Sequence, residues 1–175
     1  MSALQSARQS GDAVTFRTPE GKDGPKISTL IANSPPLDPN SAYCNLLQCT
    51  HFANYCIVAE RDGKVVGWIS GYRPPDDPSR YFLWQVAIDA SARGEGLARK
   101  MLDMLLARES MKGVTHLITT VTRDNEASWG LFRSFARHRN TKLKESLLFD
   151  RDMHFDGKHD SEWQAEIGPL NQIYS

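Results

Sequence analysis

Two spacings of apolar residues divide the chain into predicted strands and helices. Alternating or continuous apolar positions, rich in β-branched and aromatic side chains, predict strands over residues 13–17, 54–60, 65–72, 81–88 and 116–121. Apolar positions three and four residues apart predict helices over residues 26–32, 41–52 and 123–135, and another from Leu97 to about Lys112. Past Ala136 the pattern weakens, and short strands are expected over residues 146–150 and 165–167, around a loop rich in His, Asp and Gly. This order predicts an α/β fold with a mixed sheet.

Turn residues support two of these boundaries. Asp62-Gly63 stands between two predicted strands, and this pair favours the tight turn of a β-hairpin. The stretch from Asn33 to Asn40 contains three prolines, which end the preceding helix and require a loop before the next.

Length and charge set limits on the function. With 175 residues, the chain is expected to form a single domain over residues 13–170, after a flexible segment over residues 1–12. Lysines and arginines number 21, and so do aspartates and glutamates, so the formal net charge is zero. A neutral chain lacks the positive field that attracts nucleic acid or an anionic membrane, and no apolar run has the length of a membrane span. We therefore expect a cytoplasmic protein that binds neither.

Three cysteines lie close together in the sequence, at Cys44, Cys49 and Cys56. Their number is odd, and no Cys-x-x-Cys pair or accompanying histidine completes a zinc ligand set. We expect reduced thiols that pack in the core and no bound metal, with a catalytic cysteine as the alternative.

The segment after the predicted strand over residues 81–88 has the features of a phosphate-binding loop. Gly94 and Gly96 stand where a helix begins, so backbone N–H groups can meet a ligand at the positive end of the helix dipole. Arg93 and Arg99 add positive charge on either side. A dinucleotide fingerprint would need glycine or alanine where Arg99 stands, and a P-loop would need Gly-Lys-Ser/Thr. The alternative is an ordinary junction in which the glycines only ease a turn.

Two short motifs indicate a family. The pattern Arg93-x-x-Gly96-x-Ala98 resembles the pyrophosphate-binding signature Gln/Arg-x-x-Gly-x-Gly/Ala of the GCN5-related N-acetyltransferases (GNAT). The run from Asn125 to Phe132, Asn-x-x-Ser-x-x-Leu-Phe, is similar to their second segment, Asn-x-x-Ala-x-x-Leu-Tyr. The resemblance implies the GNAT acetyltransferase fold, with acetyl-CoA as co-substrate beside a central strand that splays from its neighbour. The residues that it assigns to this cofactor are Val86, Ala87, Ile88, Arg93, Gly94, Glu95, Gly96, Leu97, Ala98, Arg99, Asn125, Ser128 and Phe132.

At two positions the chain departs from the family's pattern. Many relatives place a glutamate base on the central strand, where this chain has Trp84 and Gln85, and neither side chain can act as a base. Many also use the tyrosine of the second segment as an acid towards the departing thiolate, where this chain has Phe132. Proton transfer must therefore involve other residues, water, or a substrate that is deprotonated before it binds. The thiolate can leave without an acid, because the pKa of a thiol is about 8.5.

The candidates for the amine side of the site are Asp38, Tyr43, Trp84, His159 and Glu162. Asp38 and Glu162 offer carboxylates to a substrate ammonium group, with Tyr43 as a polar neighbour, and Trp84 can wall the pocket or stack on the cation. Trp84, Tyr43 and His159 are the catalytic candidates, and His159 offers a titratable group. Each has a plain structural alternative: Asp38 as a turn residue, Trp84 in core packing, and His159 with Glu162 in a solvated turn.

Longer segments narrow the resemblance to one group within the family. The stretches 34–43, 82–87, 124–128 and 154–162 are similar to those of the L-2,4-diaminobutyrate acetyltransferases, and the match extends over residues 14–168. This resemblance implies acetylation of the 4-amino group of L-2,4-diaminobutyrate in ectoine biosynthesis. It also implies a homodimer in which the C-terminal region and the Trp163 segment complete a partner's sheet or pocket. Two alternatives stay open: an acetyltransferase for another small amine, such as lysine, ornithine or a polyamine, and a CoA-binding module without catalysis.

Overall fold

A computed structural model describes residues 13–170, so the predicted flexible segment over residues 1–12 lies outside the described residues. The strands are β1 (Thr15–Arg17), β2 (Ile57–Arg61), β3 (Lys64–Tyr72), β4 (Arg80–Ile88), β5 (His116–Val121), β6 (Lys142–Phe149) and β7 (Glu162–Gly168). The helices are α1 (Gly24–Ala32), α2 (Ala42–Thr50), α3 (Leu97–Leu106), α4 (Glu126–His138) and α5 (Arg151–Phe155). The described strands form one sheet in the order β1-β2-β3-β4-β5-β7-β6, which confirms the predicted α/β class with a mixed sheet.

The sheet is antiparallel except where β4 meets β5. These two strands run parallel, and they pair only from Arg80 to Phe82 and from His116 to Ile118. Beyond Phe82 and Ile118 they have no mutual pairing, although each continues for several residues. The sheet therefore opens between the carboxyl ends of β4 and β5, as the resemblance implied.

Helices cover both faces of the sheet and form two apolar cores. On one face α1 and α2 pack on β2, β3 and β4, with a core of Ile27, Leu30, Ile31, Cys49, Cys56, Val58, Val65, Trp68 and Ala87. On the other face α3 and α4 bury Leu97, Met101, Leu102, Leu105, Trp129, Phe132 and Phe135 against the sheet. The opening between β4 and β5 therefore lies within a sheet that is packed on both sides.

The elements differ from the sequence prediction at the end of α3, which stops at Leu106 and not at Lys112, and after Ala136. The loop rich in His, Asp and Gly contains α5, which is absent from the prediction because the helix buries no residue and so has no apolar period. The carboxylate of Asp150 caps α5 by accepting hydrogen bonds from the amides of Asp152 and Met153 at 2.9 and 3.0 Å. Both β6 and β7 are longer than predicted. For β6 the reason is that most of this edge strand is exposed, so its sequence has little apolar alternation.

The three cysteines are free thiols, as expected. Burial raises the pKa of Cys49 to about 11 and that of Cys56 to about 12, so both are protonated at neutral pH. Cys44 is only partly buried, and its pKa is also raised, first by desolvation. A protonated thiol is a poor nucleophile, and this favours packing over catalysis for Cys49 and Cys56.

Residues 13–170 contain neither a membrane-spanning helix nor a cluster of metal ligands. No helix there is long and apolar enough to cross a membrane. No group of three or more His, Cys, Asp or Glu side chains in the same region is arranged to hold a metal ion.

Candidate active site

The turn between β4 and α3 presents backbone amides to one point. Gly94 and Gly96 have φ angles of +80° and +69°, a left-handed conformation that side chains disfavour. Gly96 is the N-cap of α3, and no side chain within the described range caps this helix. The first amides of α3 therefore lack a side-chain acceptor, and an anion can take its place. Their left-handed conformation exposes these donors, which favours a binding role for the glycines over that of an ordinary turn.

The charged residues of this turn leave it receptive to a phosphate. Arg93 donates from Nε to the carbonyl oxygen of Ile88 at 3.1 Å, which holds its guanidinium at the end of β4. Glu95 is the one acidic residue between the two glycines, and Arg61 binds its carboxylate at 2.5 Å. This ion pair lowers the pKa of Glu95 and compensates its negative charge. The net charge close to the turn is thus favourable to a pyrophosphate.

Strand β4 supplies the wall of the opening before this turn. Val86 and Ile88 are half-buried and pack towards the α3–α4 core, while Ala87 is buried on the other face. From Leu83 to Ile88 the edge of β4 that faces β5 has no strand partner. A ligand with amide groups can pair with this free edge, as an added strand would.

The second family motif, the run from Asn125 to Phe132, has local structural roles. Asn125 is the N-cap of α4, and its side-chain oxygen accepts a hydrogen bond from the amide of Ser128 at 3.1 Å. Phe132 is only 3% exposed and packs in the α3–α4 core. These contacts explain the motif as a helix start and a core residue, and contact of Asn125, Ser128 and Phe132 with the cofactor stays a prediction.

The acceptor loop, which we define as residues 33–41 between α1 and α2, lies against β4. It ends at Ser41, whose hydroxyl caps α2 by accepting a hydrogen bond from the amide of Cys44 at 3.1 Å. The carboxylate of Asp38 is exposed, and its backbone carbonyl accepts a hydrogen bond from Gln85. Tyr43, in the first turn of α2, is 71% exposed. The structure therefore brings Asp38 beside the middle of β4, with Tyr43 on the adjoining helix.

Trp84 occupies a β-bulge beside the acceptor loop. Gln85 pairs with Ser70 and Leu83 pairs with Gly71, so Trp84 is an extra residue on β4. Bulges re-aim side chains and occur often beside active sites. The indole is 44% exposed and lies edge-on to Tyr72, with ring centroids 6.4 Å apart. Core packing therefore does not account for Trp84, and its exposed face is open to a ligand.

His159 and Glu162 form a separate pair at the start of β7. Nε2 of His159 is 3.9 Å from a carboxylate oxygen of Glu162, and the imidazole packs on Phe155 with centroids 4.7 Å apart. Within residues 13–170, no hydrogen bond, ion pair or ring contact joins this pair to Asp38, Tyr43 or Trp84. A role for His159 and Glu162 in the same site stays a prediction.

Sequence reasoning missed the contacts of three amide side chains at the acceptor loop: Asn40, which lies within the loop and is partly buried, and Asn45 and Gln85, which are buried beneath it. Asn45 is 0% exposed and Gln85 is 5% exposed, and both lie against the loop through hydrogen bonds to Asn40. No local pattern marks the contacts of Gln85, because its partners Asn40 and Asp38 lie 45 and 47 residues away in the sequence.

Known proteins similar to this chain in sequence are acetyltransferases. Residues 28–136 match the acetyltransferase (GNAT) family. The L-2,4-diaminobutyric acid acetyltransferase of Vibrio cholerae is 48% identical over 152 residues, which cover 87% of this chain and 88% of that protein. The enzyme of the same name from Methylotuvimicrobium alcaliphilum is 40% identical over 160 residues, covering 91% and 93% of the two chains.

A solved structure agrees. The diaminobutyrate acetyltransferase EctA from Paenibacillus lautus, in complex with its substrate L-2,4-diaminobutyric acid and coenzyme A, is 36% identical to this chain. It superposes with a TM-score of 0.87 and covers 94% of this chain and 100% of its own. The ribosomal-protein-S18-alanine N-acetyltransferase of Escherichia coli shares only the fold, with 16% identity, a TM-score of 0.67 and coverage of 93% and 98% of the two chains. The chain therefore belongs to the GNAT acetyltransferases and, within them, to the diaminobutyrate acetyltransferase family.

Proposed function

We propose that this protein transfers the acetyl group of acetyl-CoA to the 4-amino group of L-2,4-diaminobutyrate, and that the product, N4-acetyl-L-2,4-diaminobutyrate, serves ectoine biosynthesis in the cytoplasm. A single domain over residues 13–170 carries this activity. The main support is the opening between β4 and β5, which ends at the uncapped start of α3. An elongated ligand with amide groups and a terminal pyrophosphate, such as the arm of coenzyme A, matches both features.

The residues of β4 and its turn divide the binding of this co-substrate. The free edge at Val86, Ala87 and Ile88 faces its amide-bearing arm, and the amides from Gly94 to Arg99 face its phosphates. Acetyl-CoA supplies a thioester carbonyl that an amine can attack. A backbone N–H on the free edge of β4 can donate to the thioester oxygen, on which negative charge develops during the attack.

The acceptor side is built around the charge of the substrate. Diaminobutyrate carries two ammonium groups and one carboxylate, so the exposed carboxylate of Asp38 is suited to hold the 2-ammonium group. Trp84 offers an aromatic face to the same cation, and Tyr43 offers a hydroxyl. The 4-amino group then points to the thioester, so regiochemistry follows from position rather than from intrinsic pKa. Glu162 and His159 are further candidates for this side.

Proton transfer falls to groups other than Gln85 and Phe132, because neither can exchange a proton. A primary alkylammonium group has a pKa of about 10.4, so its deprotonation is the demanding step at neutral pH. Tyr43 and His159 are the titratable candidates in this chain. Water that enters beside these exposed side chains is the other route.

A homodimer is supported by an exposed apolar surface near the sheet edge. Leu147, Leu148 and Phe149 at the end of β6 are 39–46% exposed, and Met153 on α5 is 84% exposed. Such side chains in one small region indicate a protein interface. Light scattering after gel filtration should give twice the 19.7 kDa chain mass, and Leu148→Lys with Met153→Glu should lower it to one chain. A monomeric wild type would exclude the dimer.

The decisive experiment measures thiol release from acetyl-CoA with L-2,4-diaminobutyrate, ornithine, lysine, spermidine or buffer alone. NMR of the diaminobutyrate product then identifies the acetylated nitrogen. We expect strong preference for diaminobutyrate and acetylation at N4. Preference for another amine would assign that amine as the substrate in place of diaminobutyrate. Tight acetyl-CoA binding without turnover on any amine would indicate a non-catalytic CoA-binding module.

A further inference from the structure

The bulge at Trp84 decides which face of the sheet receives Gln85. Tyr81 and Leu83 point into the α3–α4 core, and in a regular strand Gln85 would follow them two residues later. The extra residue shifts the alternation by one, since such a shift moves each later side chain to the opposite face. Ala87 accordingly lies in the α1–α2 core, and Gln85 shares its face. Gln85 thus lies under the acceptor loop instead of facing the α3–α4 core.

The side-chain amide of Gln85 uses both of its polar atoms on that loop. Nε2 donates to the backbone carbonyl of Asp38 at 2.6 Å, and Oε1 accepts from Nδ2 of Asn40 at 2.8 Å. The backbone amide of Asn40 also donates to the carboxylate of Asp38 at 3.3 Å. Asn40 has a φ angle of +57°, so the chain turns sharply between its contacts. Gln85 therefore fixes both sides of the turn that carries the Asp38 carboxylate.

The contact extends into a partly buried network that joins β4, the acceptor loop, α2 and α1. Nδ2 of Asn40 also lies 3.2 Å from Oδ1 of Asn45 on α2, and Nδ2 of Asn45 donates to the hydroxyl of Ser28 on α1 at 2.9 Å. Asn45 is fully buried, and a polar group left without a partner there is costly. The network thus allows one arrangement of amide donors and acceptors and fixes the loop relative to β4.

We propose that Gln85 is a positioning residue of the acceptor site, which holds the turn from Asp38 to Asn40 on β4 and so sets where the Asp38 carboxylate meets the substrate's ammonium group. This inference rests on the proposed function, in which Asp38 binds that group. It also explains why a carboxylate base does not occupy this strand position. A glutamate there has no donor for the Asp38 carbonyl, and its charge faces that carbonyl at close range.

Four variants test the inference by steady-state kinetics: Gln85→Glu, Gln85→Leu, Asn40→Asp and the control Asn54→Asp. Asn54 is an exposed asparagine in the turn before β2, outside the proposed site, and its change also converts an amide into a carboxylic acid. Gln85→Glu and Asn40→Asp keep side-chain size. The first removes the hydrogen bond to the Asp38 carbonyl, and the second removes those to Gln85 and Asn45. Both should raise the KM for diaminobutyrate by about tenfold, with the KM for acetyl-CoA changed less than about twofold, because Gln85 and α3 lie on opposite faces. Asn54→Asp should change neither KM.

A double-mutant cycle separates positioning from mere structural support. If Gln85 acts through Asp38, then Gln85→Leu in an Asp38→Asn background should add less than about twofold to the KM for diaminobutyrate. Full additivity would overturn the inference. So would an equal rise of both KM values together with a large loss of thermal stability, or a Gln85→Glu variant with higher kcat and a pH profile shifted to lower pH. Lack of wild-type turnover with diaminobutyrate would refute the proposed function instead, and the cycle would then use the amine that is turned over.

Discussion

The glycine at the start of α3 offers a sharp test of the phosphate-binding turn, by the change Gly96→Ala. Gly96 has a φ of +69°, and a methyl group there would meet only the end of the Arg99 side chain, at 3.8 Å. The cost of the methyl group to the free protein is therefore conformational rather than steric. An L side chain in the left-handed region costs about 1–2 kcal/mol, which lowers Tm by about 2–8 °C in a domain of this size.

Gly63 provides a matched control in the β2–β3 turn. Its φ is +75°, and a methyl group there would meet no atom within 4 Å. Gly63→Ala should therefore lower Tm as much as Gly96→Ala does. Only Gly96→Ala, however, places a methyl group where backbone amides should meet a pyrophosphate. The loss of one hydrogen bond to a charged group is worth about 1.5–3 kcal/mol, so the KM for acetyl-CoA should rise about ten- to hundredfold.

The assay is initial-rate thiol release at saturating diaminobutyrate, with CoA affinity measured by calorimetry and Tm by circular dichroism. The expected result is equal loss of Tm in both variants and loss of CoA affinity in one. An unchanged KM for acetyl-CoA in Gly96→Ala, beside the expected fall in Tm, would refute the reasoning, because the glycine would then only serve the turn. A higher KM for acetyl-CoA in both variants would mean that backbone strain alone weakens CoA binding.

Three further predictions concern charges and thiols. Arg61→Ala should raise the KM for acetyl-CoA because it leaves the Glu95 carboxylate uncompensated beside the turn. Adding Glu95→Gln should restore the wild-type KM. A double variant that keeps the raised KM would mean that Arg61 acts by a route other than pairing with Glu95. Cys44 should react with a thiol reagent before Cys56, whose pKa burial raises to about 12, and equal rates in the native protein would contradict the packing. Hydrogen bonds from Ser91 and Lys64 lower the pKa of Asp89 from 3.8 to about 2, so its stabilisation is present above about pH 4 and lost as pH falls towards 2. The Tm difference between wild type and Asp89→Asn should shrink over that range, and a constant difference would exclude the ionic contribution.

The fold up to α4 was predictable because its signals are local. Asp62-Gly63 specifies a tight hairpin turn, and the apolar period after Leu97 specifies α3, so neither depends on distant residues. The motif at Arg93 also depends only on neighbours. In contrast, α5 consists of residues that remain exposed, so its sequence carries no apolar period, and its capping residue Asp150 resembles any aspartate in a polar loop.

The acceptor side was less predictable because it depends on pairing between distant segments. The bulge at Trp84 exists only in the register of β4 against β3, and nothing in the sequence around Trp84 shows an extra residue. From the sequence alone, Gln85 therefore shows only the absence of a base. Its actual partners, Asp38 and Asn40, lie 47 and 45 residues away, and the contact becomes visible only when the acceptor loop lies on the sheet.

The route of the substrate's proton gives the last prediction, based on two tyrosines. In each, replacement by phenylalanine keeps the ring and removes only the hydroxyl. Tyr43 is exposed beside the acceptor loop, whereas Tyr72 packs its ring against Phe82 and Trp84, with centroids 5.3 and 6.4 Å away. If the Tyr43 hydroxyl takes part in proton transfer, Tyr43→Phe should lower kcat by about a hundredfold, the lower range for a positioned acid or base.

The control and the pH profile decide between the routes. Tyr72→Phe should keep kcat within about twofold, because its ring contacts survive and its hydroxyl has no hydrogen-bond partner within residues 13–170. A Tyr43→Phe enzyme that also stays within twofold would remove Tyr43 from the chemistry. In that case log kcat/KM should rise with pH in wild type and variant alike, since the fraction of neutral amine then sets the rate, and the proton leaves to water before the attack on the thioester. A fall in kcat with an altered profile in Tyr43→Phe alone would assign the transfer to this hydroxyl, on the same side of the site that Gln85 holds in place.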